Sequence, residues 1–241
     1  MKIKLLVAAA ATVLASSAMA QSAFQGFYGQ IATGYENNSV SDLNISGGNP
    51  GVTPETWNAS NQSFGGAPLV IGVGYNFSVA PKWLIGIGAD YSAISQKSST
   101  FSSTVPGADG GTLAGQYLEV SNRINIFVAP GYEIDKDKLV YLKAGYSSVT
   151  AKANSPTSYT DAAGGMTDPL VSGSQSKTLS GYVVGLGYKQ IITGGIYGFA
   201  EVNYMSYSKS TFSGTIGTSY SVSVNPSLNS YQALVGVGYK F

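Results

Sequence analysis

The stretch Leu69-Val70-Ile71-Gly72-Val73-Gly74-Tyr75-Asn76-Phe77 decides the fold. Leu69, Ile71, Val73, Tyr75 and Phe77 share one face, and Gly72, Gly74 and Asn76 share the other. That period of two is a strand, because successive side chains leave a pleated backbone on opposite sides. Ser78 to Lys82 makes a short turn containing Pro81, and Trp83 to Ala93 restores the alternation. Trp83, Ile85, Ile87, Ala89 and Tyr91 now line one face, with Leu84, Gly86, Gly88, Asp90 and Ser92 opposite.

Working outward, the same hairpin recurs. Leu118 to Ile134 runs through Asp135-Lys136-Asp137-Lys138 into Leu139 to Thr150. Leu179 to Gln190 runs through Thr193-Gly194-Gly195 into Ile196 to Tyr207. Gln25 to Glu36 and Ser230 to Phe241 remain at the ends and can pair with each other only if the sheet closes. The pattern predicts an all-β chain, a transmembrane antiparallel up-and-down β-barrel of about eight strands. Short turns face the periplasm. Four long polar loops, Asn37 to Gly66, Ser95 to Gly115, Ala153 to Lys177 and Lys209 to Asn229, face outward and are nearly free of periodicity.

The repeat carries its own markers. Gly74-Tyr75, Gly131-Tyr132, Gly187-Tyr188 and Gly238-Tyr239 end one set of strands, while Tyr35, Tyr91, Tyr146 and Tyr204 end the alternate set. Phe27 and Trp83 precede Tyr35 and Tyr91 by a stretch that, in a tilted strand, spans roughly 20 Å. These rings, Phe27, Tyr75, Trp83, Tyr132, Tyr188 and Tyr239 against Tyr35, Tyr91, Tyr146 and Tyr204, predict two aromatic girdles at the membrane interfaces. A soluble β-sandwich with tyrosine corners is the alternative. It sits poorly with an apolar outward face and glycine and charge on the other.

Composition agrees. Of 241 residues only 10% are charged, against 31 Gly and 17 Tyr. No run after the first twenty residues reaches the roughly 20 apolar residues of a spanning helix. Lys2 and Lys4, the apolar Leu5 to Leu14 and Ala18-Met19-Ala20 read as a cleavable signal peptide over residues 1–20, leaving one domain over 21–241. Without Lys2 and Lys4 the 13 basic residues become 11 against 12 acidic, a net charge of −1 that gives no case for nucleic-acid binding. With no Cys, no disulfide closes the fold.

The chain ends Val235-Gly236-Val237-Gly238-Tyr239-Lys240-Phe241. Gly236, Tyr239 and the terminal Phe241 resemble the signal read by the outer-membrane barrel assembly machinery, although Leu234 stands where a polar residue is more usual. With Gly26-Phe27-Tyr28-Gly29-Gln30 at the start, the whole of 21–241 resembles the small outer-membrane β-barrel proteins of the OmpA, OmpX and opacity-protein type. The resemblance implies a bacterial outer-membrane location and lipid as solvent. It also implies periplasmic chaperones and the assembly machinery as partners in biogenesis. Its activities are diverse: adhesion, host interaction, envelope stability and limited permeation. No periplasmic domain is expected after Phe241.

Parity places Asp90, Glu119, Arg123, Lys143 and Glu201 in the lumen as a charge cluster, with Asn125, Asn203 and Gln232 beside them and Glu133, Lys189 and Lys240 near the periplasmic rim. Buried charges must be paired or hydrated, so Asp90–Arg123 and Lys143–Glu201 are the expected ion pairs. Inward glycines either loosen the lumen or let Tyr141, Tyr197 and Phe199 pack on bare backbone.

Catalysis is disfavoured chemically. Barrel enzymes of the lipid-modifying and omptin kinds use histidine as a base near neutrality, and this chain has none. Without Cys there is no thiolate nucleophile either. The loop carboxylates Asp109, Asp161 and Asp168 are isolated, so no metal site and no cofactor are expected. The leading expectation is a non-enzymatic surface protein, adhesin- or opacity-like, that could bind an extracellular ligand through its loops. Trp57, Phe64, Phe101 and Phe212 are either contact points or packing within folded loops. A narrow porin-like channel is the alternative, and a lipid-modifying enzyme the remote one.

Overall fold

The computed structural model describes residues 22–105, 110–154, 156–161, 163–164, 174–216 and 220–241. The signal segment 1–20, Asp109 and Asp168 lie outside the described residues. Eight long strands run β1 (Gly26–Ser41), β2 (Leu69–Ala80), β3 (Trp83–Ser92), β4 (Gly111–Asp135), β5 (Lys138–Asn154), β6 (Gln175–Thr193), β7 (Ile196–Tyr207) and β8 (Ser227–Lys240). Each pairs antiparallel with the next. The last then pairs with the first, from Tyr28↔Lys240 to Ser41↔Ser227. The pairings form a ring, so no long strand is left with an open edge.

Alternation decides what each face meets. Ile31, Ile71, Val73, Ile85, Ile87, Ile126, Leu142, Leu186, Val202, Val235 and Val237 all project outward and are exposed. Apolar side chains this numerous on the outside of a closed sheet are stable only against lipid. Girdle rings flank them. Phe27 stacks edge-on against Tyr75 at 4.6 Å and Trp83 against Tyr132 at 5.0 Å. At the other end Tyr182, Tyr204 and Tyr231 form a run with centroids 6.2 and 5.0 Å apart. Tyr182 and Tyr231 were not among the sequence-derived girdle.

One irregularity re-aims a strand. Asn122 stands at φ 50° inside β4, where the register against β5 shifts between Ser148 and Thr150. This β-bulge inserts a residue and flips the alternation. Val120 and Arg123 therefore both point inward, and Glu119 does not join the lumen. Its carboxylate meets Lys97 at 3.7 Å instead. Counting in twos through Asn122 had placed Glu119 inside, and the bulge is why that expectation fails.

The long loops are more ordered than their composition suggests. Asn44–Gly48, Glu55–Asn58, Phe212–Ile216 and Tyr220–Val224 form a separate four-stranded sheet that joins the first loop to the last. Gln62–Gly66 continues along β1, while Gln96–Lys97, Phe101–Val105 and Ser158–Asp161 lie along β4. Ser-, Thr- and Gly-rich strands have no clean apolar face, so period two is hidden in them.

Candidate functional site

The lumen is stacked in layers. Outermost is hydrocarbon: Val40, Phe64, Val120, Val149, Leu179, Val183, Met205 and Leu228 form one buried cluster with Tyr207. Tyr207 also belongs to the layer beneath, so the two are continuous.

That second layer centres on Arg123, 1% exposed. Its Nη1 meets Glu36 Oε2 at 2.5 Å, its Nε donates to Tyr207 Oη at 2.9 Å, and its Nη2 donates to Asn38 Oδ1 and Ser230 Oγ, both at 2.9 Å. Glu36 is further held by Gln232 at 2.7 Å and Asn38 at 2.9 Å. Glu36, on β1 next to the girdle residue Tyr35, was missed in sequence because it lies at the last turn of the alternation toward a polar loop. Its even parity with Gln30 and Ala32 was the available signal.

The third layer centres on Lys143. Its Nζ lies 2.6 Å from Asp90 Oδ2 and 2.9 Å from Glu201 Oε1. Asn125 donates to Asp90 at 2.6 Å, and Tyr141 and Asn203 donate to Glu201, each at 2.7 Å. Lys143 and Glu201 thus pair across β6, where Gly185 and Gly187 leave the space. Asp90 and Arg123 do not pair. Asp90 sits directly opposite Asn125, and Arg123 opposite Ser92. The long guanidinium stem crosses the lumen to β1, β7 and β8 rather than reaching sideways to β3.

Nearer the periplasm, Lys189 stands over three tyrosine rings, Tyr28, Tyr141 and Tyr197, at 4.0, 5.2 and 5.0 Å from their centroids. Glycine makes this possible. A Cβ at Gly187 would overlap the Tyr141 ring, and one at Gly238 the Tyr197 ring. The rings pack on bare backbone, and the space left beside them is about 10 Å³. Phe24, 2% exposed, turns into this mouth with Leu84, Phe127 and Leu139. Asn76 donates to the Phe24 carbonyl, and Ser22 to Glu133. Lys240 is half-buried at the same rim.

Arg123, Lys143 and Lys189 face Glu36, Asp90 and Glu201, so the buried lumen charges balance. Above the lumen, the loop sheet and the strand ends line a partly open apolar cavity of about 180 Å³. Trp57, Phe64 and Phe212 are buried and Phe101 half-buried. They are packing residues of folded loops and not exposed contact points.

A closed sheet with a lipid-facing belt, two aromatic rims and a side-chain-filled interior defines an integral membrane barrel. The chain belongs to the outer membrane protein beta-barrel domain family, which matches residues 6–241, and its place is the bacterial outer membrane. A comparison with curated proteins returns no match. Among solved structures it is similar to the outer membrane protein OprG of Pseudomonas aeruginosa, at 17% identity over 90% of this chain and 96% of that one, with a TM-score of 0.52. It is also similar to Neisserial surface protein A, at 16% identity over 90% of this chain and 98% of that one, with a TM-score of 0.44. The outer membrane protease OmpT of Escherichia coli matches at 8% identity over 94% of this chain and all of that one (100%), with a TM-score of 0.48. At these identities the likeness speaks to the fold and not to an activity.

Proposed function

We propose that this chain is a non-catalytic surface protein in which the barrel is the anchor and the loop sheet the working part. The observation that carries the reading is the loop sheet itself. It joins the first and last loops into one platform above a lumen filled by side chains. Eight strands enclose just enough room for side chains to fill, which favours an anchor over a conduit. The sequence contains no His to serve as the usual base near neutrality and no Cys to serve as a thiolate nucleophile. The signal segment 1–20 and the ending Gly236, Tyr239 and Phe241 supply export and the handle for the assembly machinery.

Replacing 44–58 and 212–224 by short Gly-Ser links tests the reading. The trimmed chain is expected to remain a folded, heat-modifiable barrel in outer membranes, and to lose any cell or matrix adhesion that the intact chain confers. Failure to fold would contradict the division into anchor and platform. Planar-bilayer recording of the intact protein is expected to show no stepwise conductance, and steps would favour the channel.

A further inference from the structure

The cavity beneath the loop sheet has the chemistry of a ligand site. Its walls come from both parts of the molecule: Ile45, Trp57, Phe212 and Val224 from the loop sheet, and Leu113 and Leu118 from β4. Among the described residues no Asp, Glu, Lys or Arg lines it. A lining without charge rejects ions, because nothing would repay their desolvation. Two lining residues also hold donors with nothing to donate to. Trp57 Nε1 and Asn154 Nδ2 are buried and have no hydrogen-bond partner among the described residues. A buried donor left unmade is costly, and nearly all buried polar groups in folded proteins find an acceptor. The volume, about 180 Å³, sets the size. An apolar cavity of roughly 150 Å³ admits benzene.

From these three constraints we propose that the cavity binds a neutral, apolar molecule of about one ring that carries a carbonyl-type acceptor oxygen. The body fills the apolar volume, and the oxygen accepts from Trp57 or Asn154. The proposal rests on the loop platform being the working part and names the kind of molecule it takes.

The chain carries its own reporter. Its two tryptophans are Trp57, in the cavity wall, and Trp83, in the lipid-facing girdle. With Trp83→Phe protein in lipid nanodiscs, acetophenone is expected to change Trp57 emission saturably. Ethylbenzene, the same shape with the carbonyl replaced by methylene, is expected to bind about tenfold more weakly, the size of one buried hydrogen bond. Trp57→Phe protein, whose remaining tryptophan faces lipid, reports partition into the bilayer and is expected to show no saturable change. Ala59→Phe in the Trp83→Phe background, a change in the cavity wall away from the barrel, is expected to abolish the response. Asn154→Leu is expected to narrow the preference for acetophenone, read by the same emission. No saturable change, equal binding of the two compounds, or undiminished binding in Ala59→Phe would each overturn the proposal. If the loop-trimmed barrel folds and the intact protein binds neither compound, this inference alone falls. If the trimmed barrel cannot fold, the reading beneath it falls as well.

Discussion

Arg123 and Lys143 occupy successive layers of one lumen and are solved differently. Arg123 faces one carboxylate, Glu36, and three neutral acceptors, Tyr207, Asn38 and Ser230. Lys143 faces two carboxylates, Asp90 and Glu201, and its layer carries a net negative charge that Lys189 offsets from below. The planar guanidinium, with several donors in fixed directions, suits a ring of separate acceptors. The compact ammonium suits two anions drawn to one point. The upper layer is therefore held by geometry and the lower by charge, and removing each cation should hurt in a different way.

The largest effect is expected from Lys143→Met, which leaves Asp90 and Glu201 facing each other. A loss of about 3–5 kcal/mol, read from urea unfolding in lipid vesicles, follows from stranding buried charge. Adding Asp90→Asn and Glu201→Gln should recover most of it. Arg123→Met should cost less, at the lower end of that range at about 3 kcal/mol, because Gln232 and Asn38 still hold Glu36. Equal losses would break the contrast between the two layers.

Next comes the packing below both layers. Gly187→Ala drives a methyl into the Tyr141 ring, and overpacking of this kind costs about 1–3 kcal/mol. Gly29→Ala meets nothing within 4 Å and should leave the unfolding midpoint unchanged. A silent Gly187→Ala would show that the rings can move aside.

The smallest effect lies in the loops. Hydrogen bonds from Lys209 and Ser227, with the charge of Lys209, hold the Asp42 carboxyl below the usual aspartate value. Its small contribution is present above the usual carboxylate range and is lost as the pH falls through the lowered folded value. In Lys209→Gln the Asp42 titration, followed by NMR, should move up toward the ordinary position, with global stability unaffected. Both side chains are about half exposed, so the ion pair is weak.

Most of the barrel was legible because lipid demands an unbroken apolar face and the lumen demands its opposite. Leu69 to Phe77 and Trp83 to Ala93 show both in a few residues. Parity also found Arg123, Lys143, Asp90 and Glu201. It could not find their partners, since a strand's register fixes where a Cα sits and not how far a side chain reaches. It failed at Glu119 for a different reason, because a bulge at Asn122 leaves no mark that a period-two count can see. The loop sheet was hidden altogether: Asn44-Ile45-Ser46-Gly47-Gly48 has neither face apolar, and its pairing with Tyr220–Val224 joins segments far apart in the chain.

The seam between β1 and β8 bears on how this molecule comes into being. Tyr28 pairs with Lys240, and the Phe241 amide donates to the Phe27 carbonyl, so the earliest strand waits for the latest. Until that partner arrives, the chain is an open sheet offering two unpaired borders to any strand nearby. Contacts of such long range are slow to form and prone to mispairing. A chain without β8 would leave both β1 and β7 with an unpaired edge, so the last strand to be made is the one on which closure of the ring depends.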